Sequence, residues 1–165
     1  MDITEKIAAG GVVGCGGAGF PTHAKLQGAI EHLIVNGAEC EPLLRTDRYI
    51  MVQKADDLIS ALVTLKEQLH IHHCTIALKG SYQEELASLR RAIEQAGAEI
   101  HLHELEGFYP AGDEQTIVYE VTGRVVPPAA IPMAVGAVVD NVATILAISD
   151  ALKDVPLTHK YLTVT

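Results

Sequence analysis

Glycine dominates one stretch near the amino terminus, and it is the residue type that leaves backbone amides open to a ligand. Six of the ten residues from Gly10 to Gly19 are glycine. Glycine adopts positive φ and lets another group approach the backbone closely. Pro21 and Thr22 then predict a helix start with Thr22 as its N-cap. Such a loop feeding a helix N-terminus is a phosphate cradle, and Lys25 adds a positive charge beside it.

This stretch differs from two known types of nucleotide loop. It is not a Walker loop, because no Gly-Lys-Ser/Thr follows at the required spacing. The spacing of Gly14, Gly16 and Gly19 matches G-x-G-x-x-G, and Glu39 follows about 20 residues later, as a dinucleotide fold requires. That motif needs a strand directly before its first glycine, and the two valines there are too short to form one. A Rossmann NAD domain without flavin is therefore disfavoured, and a plain surface loop stays open on spacing alone.

A second group of polar residues follows a short apolar run. Residues 33–35 predict a buried strand that ends at Asn36 and Gly37. Asn36, Glu39 and Glu41 therefore come just beyond its carboxyl end. Ligands of open α/β sheets bind at that end of the strands, so these three are candidate binding residues.

The elements that would position these residues alternate between strand and helix. Strands are predicted at 33–35, 74–78, 99–105 and 135–139, with a strand-like segment at 161–165. Helices are predicted at 2–9, 22–32, 47–51, 56–69, 82–95, 114–122 and 141–152. This alternation predicts a Rossmann-like α/β fold, with three α/β/α layers and a mostly parallel sheet of about four strands.

Composition narrows the class of protein. At 165 residues the chain suffices for one domain with a substantial core, and its 48% hydrophobic content fits an α/β protein. Its net charge of −9 argues against nonspecific nucleic-acid binding, which needs clustered Lys and Arg. Three cysteines without a C-x-x-C motif fit a reducing cytoplasm better than a disulfide framework.

The histidines invite a metal hypothesis, which the spacing does not favour. They cluster at His70, His72, His73, His101 and His103. Zinc sites usually add cysteines or carboxylates at set spacing, and Cys74 is the only near candidate. We therefore expect no metal site in this chain.

Four blocks of the sequence, taken together, resemble a known family. They are 13–25, 34–42, 109–115 and 139–144, in the order in which that family carries them. The family is the NADH-binding flavoprotein subunit of respiratory complex I and its relatives. The sequences of segments 36–42 and 122–127 are similar to those of one branch of this family. This branch includes the C subunit of the Rnf complex, the cobalamin reductase of propanediol-utilisation microcompartments and a proline-reductase-associated electron carrier.

The resemblance implies an FMN site and an adjoining NADH site. The matching FMN positions are Gly14, Gly16, Lys25, Asn36, Glu39, Cys40, Gly112, Asp113, Asn141 and Thr144. The matching NADH positions are Phe20, Glu41 and Glu114. The family needs no catalytic nucleophile, because the flavin carries the chemistry and the protein supplies geometry.

The resemblance also implies a role and a setting. The domain would accept hydride from NADH through FMN and pass electrons to an iron–sulfur partner. Family members continue into a small β-rich module and an iron–sulfur region, so we expect residues 1–165 to be a fragment of a longer chain. Iron–sulfur clusters would lie outside this fragment. The expected location is the cytoplasm, with peripheral attachment to a membrane complex as one option.

Three positions depart from the complex I pattern. Cys15 stands where that subunit has a basic residue, and Asp140 and Asp113 stand where it has amide and longer acidic side chains. These departures predict weaker flavin binding and make NADH a less secure ligand than FMN. Two alternatives therefore stay open: a non-catalytic scaffold with the same fold, and a flavin carrier fed by another donor.

Overall fold

Four parallel strands form the centre of the molecule. The computed structural model describes residues 1–17 and 19–165, so Ala18 of the glycine-rich run lies outside the described residues. The strands are β1 (His32–Asn36), β2 (His73–Lys79), β3 (His101–Leu105) and β4 (Ala137–Asn141), in the spatial order β3-β2-β1-β4. The first three overlap the predicted strands, and β4 begins two residues later than predicted because Pro132–Val135 form a 3-10 turn.

The strand order reverses at β1. From β1 the chain builds β2 and β3 outward on one side, then returns across the sheet to place β4 on the other side of β1. The register pairs Asn36 at the end of β1 with Asn141 at the end of β4. Connections leave these two ends in opposite directions, which opens a crevice between them.

Seven helices cover the sheet within the described residues. They are α1 (Ile3–Ala9), α2 (Thr22–Lys25), α3 (Thr46–Gln53), α4 (Ala55–Gln68), α5 (Gln83–Ala96), α6 (Glu114–Thr122) and α7 (Val142–Leu152). The first begins with a capping box, in which Asp2 and Glu5 each accept a backbone hydrogen bond from the other. Gly97 ends α5 in the left-handed conformation, as its position in the sequence predicted.

The helices divide between the two faces of the sheet. Leu33 and Val35 of β1 belong to the larger core, which the helices other than α6 build on one face. Ile34 points to the smaller core on the opposite face, where Ile117 and Val118 of α6 pack. Both faces are thus aliphatic and covered, and the predicted three-layer α/β fold with a parallel sheet is confirmed.

The helix predicted at 22–32 is wrong in length. α2 is a single turn, and Gly28 at φ +103° redirects the chain toward β1. Thr22 is not the N-cap either, because Pro21 occupies that position and the Thr22 side chain is buried beneath the loop. A residue in the left-handed region interrupts an α-helix, so the apolar residues after Gly28 could not extend this one.

The strand predicted at 161–165 does not form. Instead this segment crosses the loop before α3, where the Thr163 hydroxyl oxygen accepts a hydrogen bond from the Arg45 N–H at 3.1 Å. The ring of Tyr161 lies 5.7 Å from that of Tyr49. The β-forming residue types of this segment therefore pack against a helix rather than pair with a strand.

Membrane-spanning and metal-binding features are both absent from the described residues. No helix there combines the length and apolarity needed to cross a bilayer. Nor does that part of the chain bring three or more His, Cys, Asp or Glu side chains together as metal ligands.

Candidate functional site

A cleft opens at the carboxyl ends of β1 and β4, where the strand order reverses. Its front half, of about 360 Å³, is lined by Gly14, Phe20, Lys25, Glu114, Asp140, Thr144 and the segment from Ile131 to Met133, among others. Its rear half, of about 540 Å³, is lined by Cys15, Glu39, Cys40, Asp47 and residues of the chain terminus. Gly16, Asn36, Gly112 and Asn141 line both halves and form the boundary between them. Both volumes fall in the range of small-molecule sites.

The glycine-rich loop forms one wall of the cleft and is closed at its base. The Gly14 N–H donates to the Phe20 carbonyl at 2.8 Å, and the Thr22 N–H donates to the Val12 carbonyl at 3.2 Å. This closure follows α1 directly, without the strand that a Rossmann dinucleotide motif needs. The loop therefore differs in structure from the G-x-G-x-x-G turn, which follows a strand.

The backbone conformation requires glycine at Gly17 and Gly19 of this loop but not at Gly16. Gly17 and Gly19 have φ of +111° and +62°, which other residues rarely adopt. Gly16 lacks a positive φ, and a Cβ there would first meet Asn141 Cβ at an ordinary 3.8 Å. Neither Gly16 nor Gly17 donates its N–H to an acceptor among the described residues. Gly16 therefore leaves open space and a free donor at the boundary between the two halves.

Of the helices that begin at the cleft, α7 is the longest. Asn141 is its N-cap, accepting a hydrogen bond from the Ala143 N–H at 2.8 Å. In its first turn, the Thr144 hydroxyl oxygen accepts from the Cys15 N–H at 2.9 Å and so ties the glycine-rich loop to the helix. The sequence predicted that the helix after Thr22 would supply the positive dipole end. With eleven residues against four, α7 is the better source.

Asn36 and Gly112 join two loops at the centre of the cleft. The Asn36 amide donates to the Gly112 carbonyl at 2.9 Å and accepts from the Ala38 N–H at 3.0 Å. The Gly112 N–H points at Cys40 Sγ, 3.3 Å away. A Cβ at Gly112 would lie 2.5 Å from the Ala38 carbonyl oxygen, so only glycine fits there. This glycine is fixed by packing between protein segments.

Two acidic residues meet in the rear half. Glu39 Oε1 accepts a hydrogen bond from the Asp47 N–H at 3.0 Å, while Glu39 Oε2 is buried without a partner among the described residues. The Asp47 carboxylate accepts from the Asn141 amide at 2.7 Å. Burial raises the pKa of Asp47 to about 6, with Glu39 adding to the rise and the Asn141 hydrogen bond opposing it. Sequence reasoning missed Asp47, because an acid in the first turn of a helix is usually a solvated helix-start residue.

Lys25 is held by two acids in the front half. Its Nζ donates to the Val139 carbonyl at 2.9 Å and lies 3.5 Å from Asp140 Oδ1 and 3.6 Å from Glu114 Oε1. Burial raises the pKa of Asp140 to about 6, although Lys25 lowers it. Asp140 Oδ2 is buried without a partner in the described part of the chain. We call Lys25, Asp140 and Glu114 the Lys25 trio.

Most of the residues predicted from sequence line this cleft. The front half holds Gly14, Gly16, Phe20, Lys25, Asn36, Gly112, Glu114, Asn141 and Thr144, and the rear half adds Glu39 and Cys40. Two predicted residues are outside the lining. Glu41 is exposed, and Asp113 caps α6 by accepting a hydrogen bond from the Thr116 N–H at 2.9 Å.

Fold and cleft define an α/β domain with a cleft of small-molecule size at the reversal of its strand order. Residues 7–150 match the family described as the Nuo51 FMN-binding domain, and the chain belongs to this family. It is therefore a domain of the complex I 51-kDa type, within a family of electron-transfer flavoproteins. The resemblance predicted from the four sequence blocks is confirmed.

Relatives of known name fall in the predicted branch. Cobalamin reductase PduS of Citrobacter freundii is 44% identical over 163 residues, which cover 98% of this chain and 36% of the relative. The C subunit of the ion-translocating oxidoreductase complex of Haemophilus influenzae is 35% identical, covering 99% of this chain and 25% of the relative. The chain thus spans about a third or less of these relatives.

A solved structure shares the fold. It is an NAD+-reducing [NiFe]-hydrogenase in the air-oxidized state, with a TM-score of 0.75 and 24% identity. The match covers 92% of this chain and 30% of the hydrogenase chain. At this identity the likeness shows the common α/β architecture.

Proposed function

We propose that the cleft binds FMN and that the domain is the electron-entry module of a longer oxidoreductase. The observation that supports the proposal is the spatial proximity of residues from distant parts of the chain. Four separate stretches of the chain bring predicted FMN residues to one cleft, at the reversal of the strand order. The membership of the chain in an FMN-binding family makes flavin the ligand of choice.

The residues of the cleft fit this cofactor chemically. The unused N–H groups of Gly16 and Gly17, the start of α7 and the Lys25 ammonium suit a phosphate group. Ile131, Pro132 and Met133 give the front half an apolar wall against which a flat ring can pack. When bound, FMN would accept two electrons together and release them singly. The chain would bind it, orient it and limit its contact with water.

We infer that NADH is the electron donor. Phe20, 44% exposed, offers an aromatic ring at the rim of the front half, and Glu114 offers a carboxylate in its wall. A carboxylate suits ribose hydroxyls, which donate hydrogen bonds to it. An iron–sulfur module outside this chain would take the electrons onward, as the family resemblance implies.

A second candidate is a flavin carrier fed by a donor other than NADH. Two acids surround Lys25, the one cation among the described residues of the front half, so once FMN is bound no further cation is left there for the diphosphate of a dinucleotide. Glu41, the third predicted NADH residue, also lies outside the cleft lining. These two observations favour a donor without a diphosphate.

Titration with FMN tests the binding proposal. We expect Gly16→Val to abolish FMN binding, measured by calorimetry, because the side chain would fill the boundary between the two halves. The fold should be unchanged, since this glycine has an ordinary φ and open space. Gly107→Val is the matched control: it also adds Val to open space, but outside the cleft lining, and should leave affinity unchanged.

Two outcomes of this titration would count against the proposal. If the folded parent domain gives no binding heat and no shift in flavin absorbance, the scaffold alternative is correct. If Gly16→Val binds as tightly as the parent, FMN binds elsewhere than the cleft.

Anaerobic reduction separates the two donors. If NADH is the donor, adding it to the FMN-loaded domain should bleach the flavin absorbance. Phe20→Ala should slow that bleaching by about tenfold or more while changing FMN affinity less, because the lost contact would be to the nucleotide. Phe108→Ala removes a similarly exposed ring, 40% against 44%, from outside the cleft lining and serves as the control. A domain that dithionite bleaches and NADH does not would establish the second candidate.

A further inference from the structure

The Lys25 trio carries more negative than positive charge. Lys25 lies between Asp140 at 3.5 Å and Glu114 at 3.6 Å, so with both acids ionised its ammonium is outnumbered two to one. A phosphate drawn to Lys25 would therefore approach two carboxylates as well. At such separations like charges repel strongly in a partly desolvated site.

The two acids differ in how they can respond to a ligand. The Glu114 side chain is 45% exposed and can rotate into water. The Asp140 side chain is 2% exposed, stands near the end of β4, and has one oxygen without a partner among the described residues. Asp140 can relieve the repulsion only by taking up a proton.

The groups that face Asp140 leave it the sole buried acid of the front half. Lys25 from α2 and Glu114 from α6 are the charged groups of the described residues that line this half with it. The neighbouring strand contributes the neutral amide of Asn36, and α7 contributes the hydroxyl of Thr144 and its N-cap Asn141. None of these neutral groups titrates, so Asp140 is the one buried acid of the described front-half residues that can take up a proton.

We propose that Asp140 is a proton-coupled specificity residue, which lets a phosphate-bearing ligand enter the front half together with one proton from solvent. This inference rests on the proposed function, with FMN as the ligand. The proton moves from water to the Asp140 carboxylate, and no other bond is made or broken. The neutral acid leaves Lys25 free to pair with the phosphate, and its own O–H becomes a donor.

Burial and linkage give the direction of the pH dependence. Burial already raises the pKa of Asp140 to about 6, against the influence of Lys25. A bound phosphate occupies Lys25 and adds negative charge, and both changes raise that pKa further. Between the free and bound pKa values the complex holds a proton that the free domain lacks. The association constant should therefore fall by up to about tenfold per pH unit above about pH 6.

Calorimetry of FMN binding in two buffers measures this proton directly. At pH 7.5, in HEPES and in Tris, the difference in apparent binding enthalpy divided by the difference in buffer ionisation enthalpy gives the protons taken up. The phosphate is then almost fully dianionic, since its second pKa is about 6, and contributes little. We expect between about half and one proton per FMN.

Two isosteric variants assign the proton. Asp140→Asn should take up almost none and should bind FMN about tenfold more tightly at pH 7.5, because its amide is permanently neutral. Glu114→Gln removes the other acid of the Lys25 trio and should keep the proton uptake of the parent. Thermal unfolding of each variant verifies that it is folded.

The outcomes separate this inference from the function on which it rests. FMN binding by the parent without proton uptake overturns the inference and leaves the proposed function standing. Uptake that persists in Asp140→Asn, or that Glu114→Gln abolishes, also overturns it. A folded parent that binds no FMN overturns the proposed function itself, and the inference with it.

Discussion

Asp140 and Glu85 are both buried carboxylates paired with a cation, and they sit in contrasting surroundings. Their side chains are 2% and 3% exposed, and each has one oxygen without a hydrogen-bond partner among the described residues. Glu85 joins α5 to α3 through Arg48, whose guanidinium lies 4.3 Å from the centre of the Tyr82 ring. In this pair one carboxylate faces one guanidinium, and the Tyr82 ring packs against the guanidinium. Asp140 shares one base with a second acid at the wall of a cleft.

The contrast separates a structural ion pair from a ligand-responsive one. A balanced pair that packing encloses stabilises the association of two helices, and any change to it leaves a charge stranded. An unbalanced acid at a cleft is strained until it takes up a proton, and a ligand that enters the cleft shifts its pKa. Glu85 and Asp140 are alike in burial, and each lies within salt-bridge distance of a cation. The two acids differ in the net charge of their surroundings and in whether they lie at the cleft.

Breaking the balanced pair should give the largest effect. Arg48→Ala leaves Glu85 buried and unpaired, and we expect a loss of about 3 kcal/mol in the free energy of unfolding, measured by urea denaturation. Arg90→Ala breaks the exposed pair with Glu104 and should cost less than about 1 kcal/mol. FMN affinity per folded molecule should stay the same in both, because neither arginine lines the cleft. Equal losses in the two variants would contradict the structural role of the Glu85 pair.

The sequence predicts which residues line the cleft better than it predicts which charged residues pair with one another there. Strand ends follow from apolar runs that are buried on both faces, so the sequence alone could place Asn36 next to a binding site. The partners of Lys25 could not be found this way, because Asp140 lies 115 residues away and an ion pair leaves no periodic pattern. The short α2 was missed for a similar reason: a single left-handed residue, Gly28, overrides the helical pattern around it.

Residue type alone also gave a wrong prediction of secondary structure at residues 161–165. Residues 161–165 are strand-forming types, but strand pairing needs a free edge in reach, and Tyr161 packs on Tyr49 instead. There a tertiary neighbour decides between roles that the residue type leaves open. The carboxylate of Asp113 caps α6, and its contact with FMN stays a prediction.

The pH dependence of folding stability tests whether Asp140 is the unbalanced acid of the two. Burial raises the folded-state pKa of this residue from 3.8 to about 6, so the folded state holds its proton more tightly than the unfolded chain does. The stability that this proton provides is fully present below about pH 3.8 and is lost as pH rises toward 6. A rise of about two units corresponds to about 3 kcal/mol in total, of which roughly 2 falls between pH 4 and pH 7 because the unfolded-state carboxyl is already partly ionised at pH 4.

Asp140→Asn should recover that loss, because its amide resembles the neutral acid at every pH. We expect the variant to exceed the parent in unfolding free energy by roughly 2 kcal/mol more at pH 7 than at pH 4 in urea denaturation. Asp47, whose pKa burial raises to about 6, and His32, whose pKa burial lowers to about 4, also titrate in this window. Both are present in parent and variant, so their contributions cancel in the difference. A difference that is flat with pH would show that Asp140 is as well balanced as Glu85, and the contrast between the two acids would then fail.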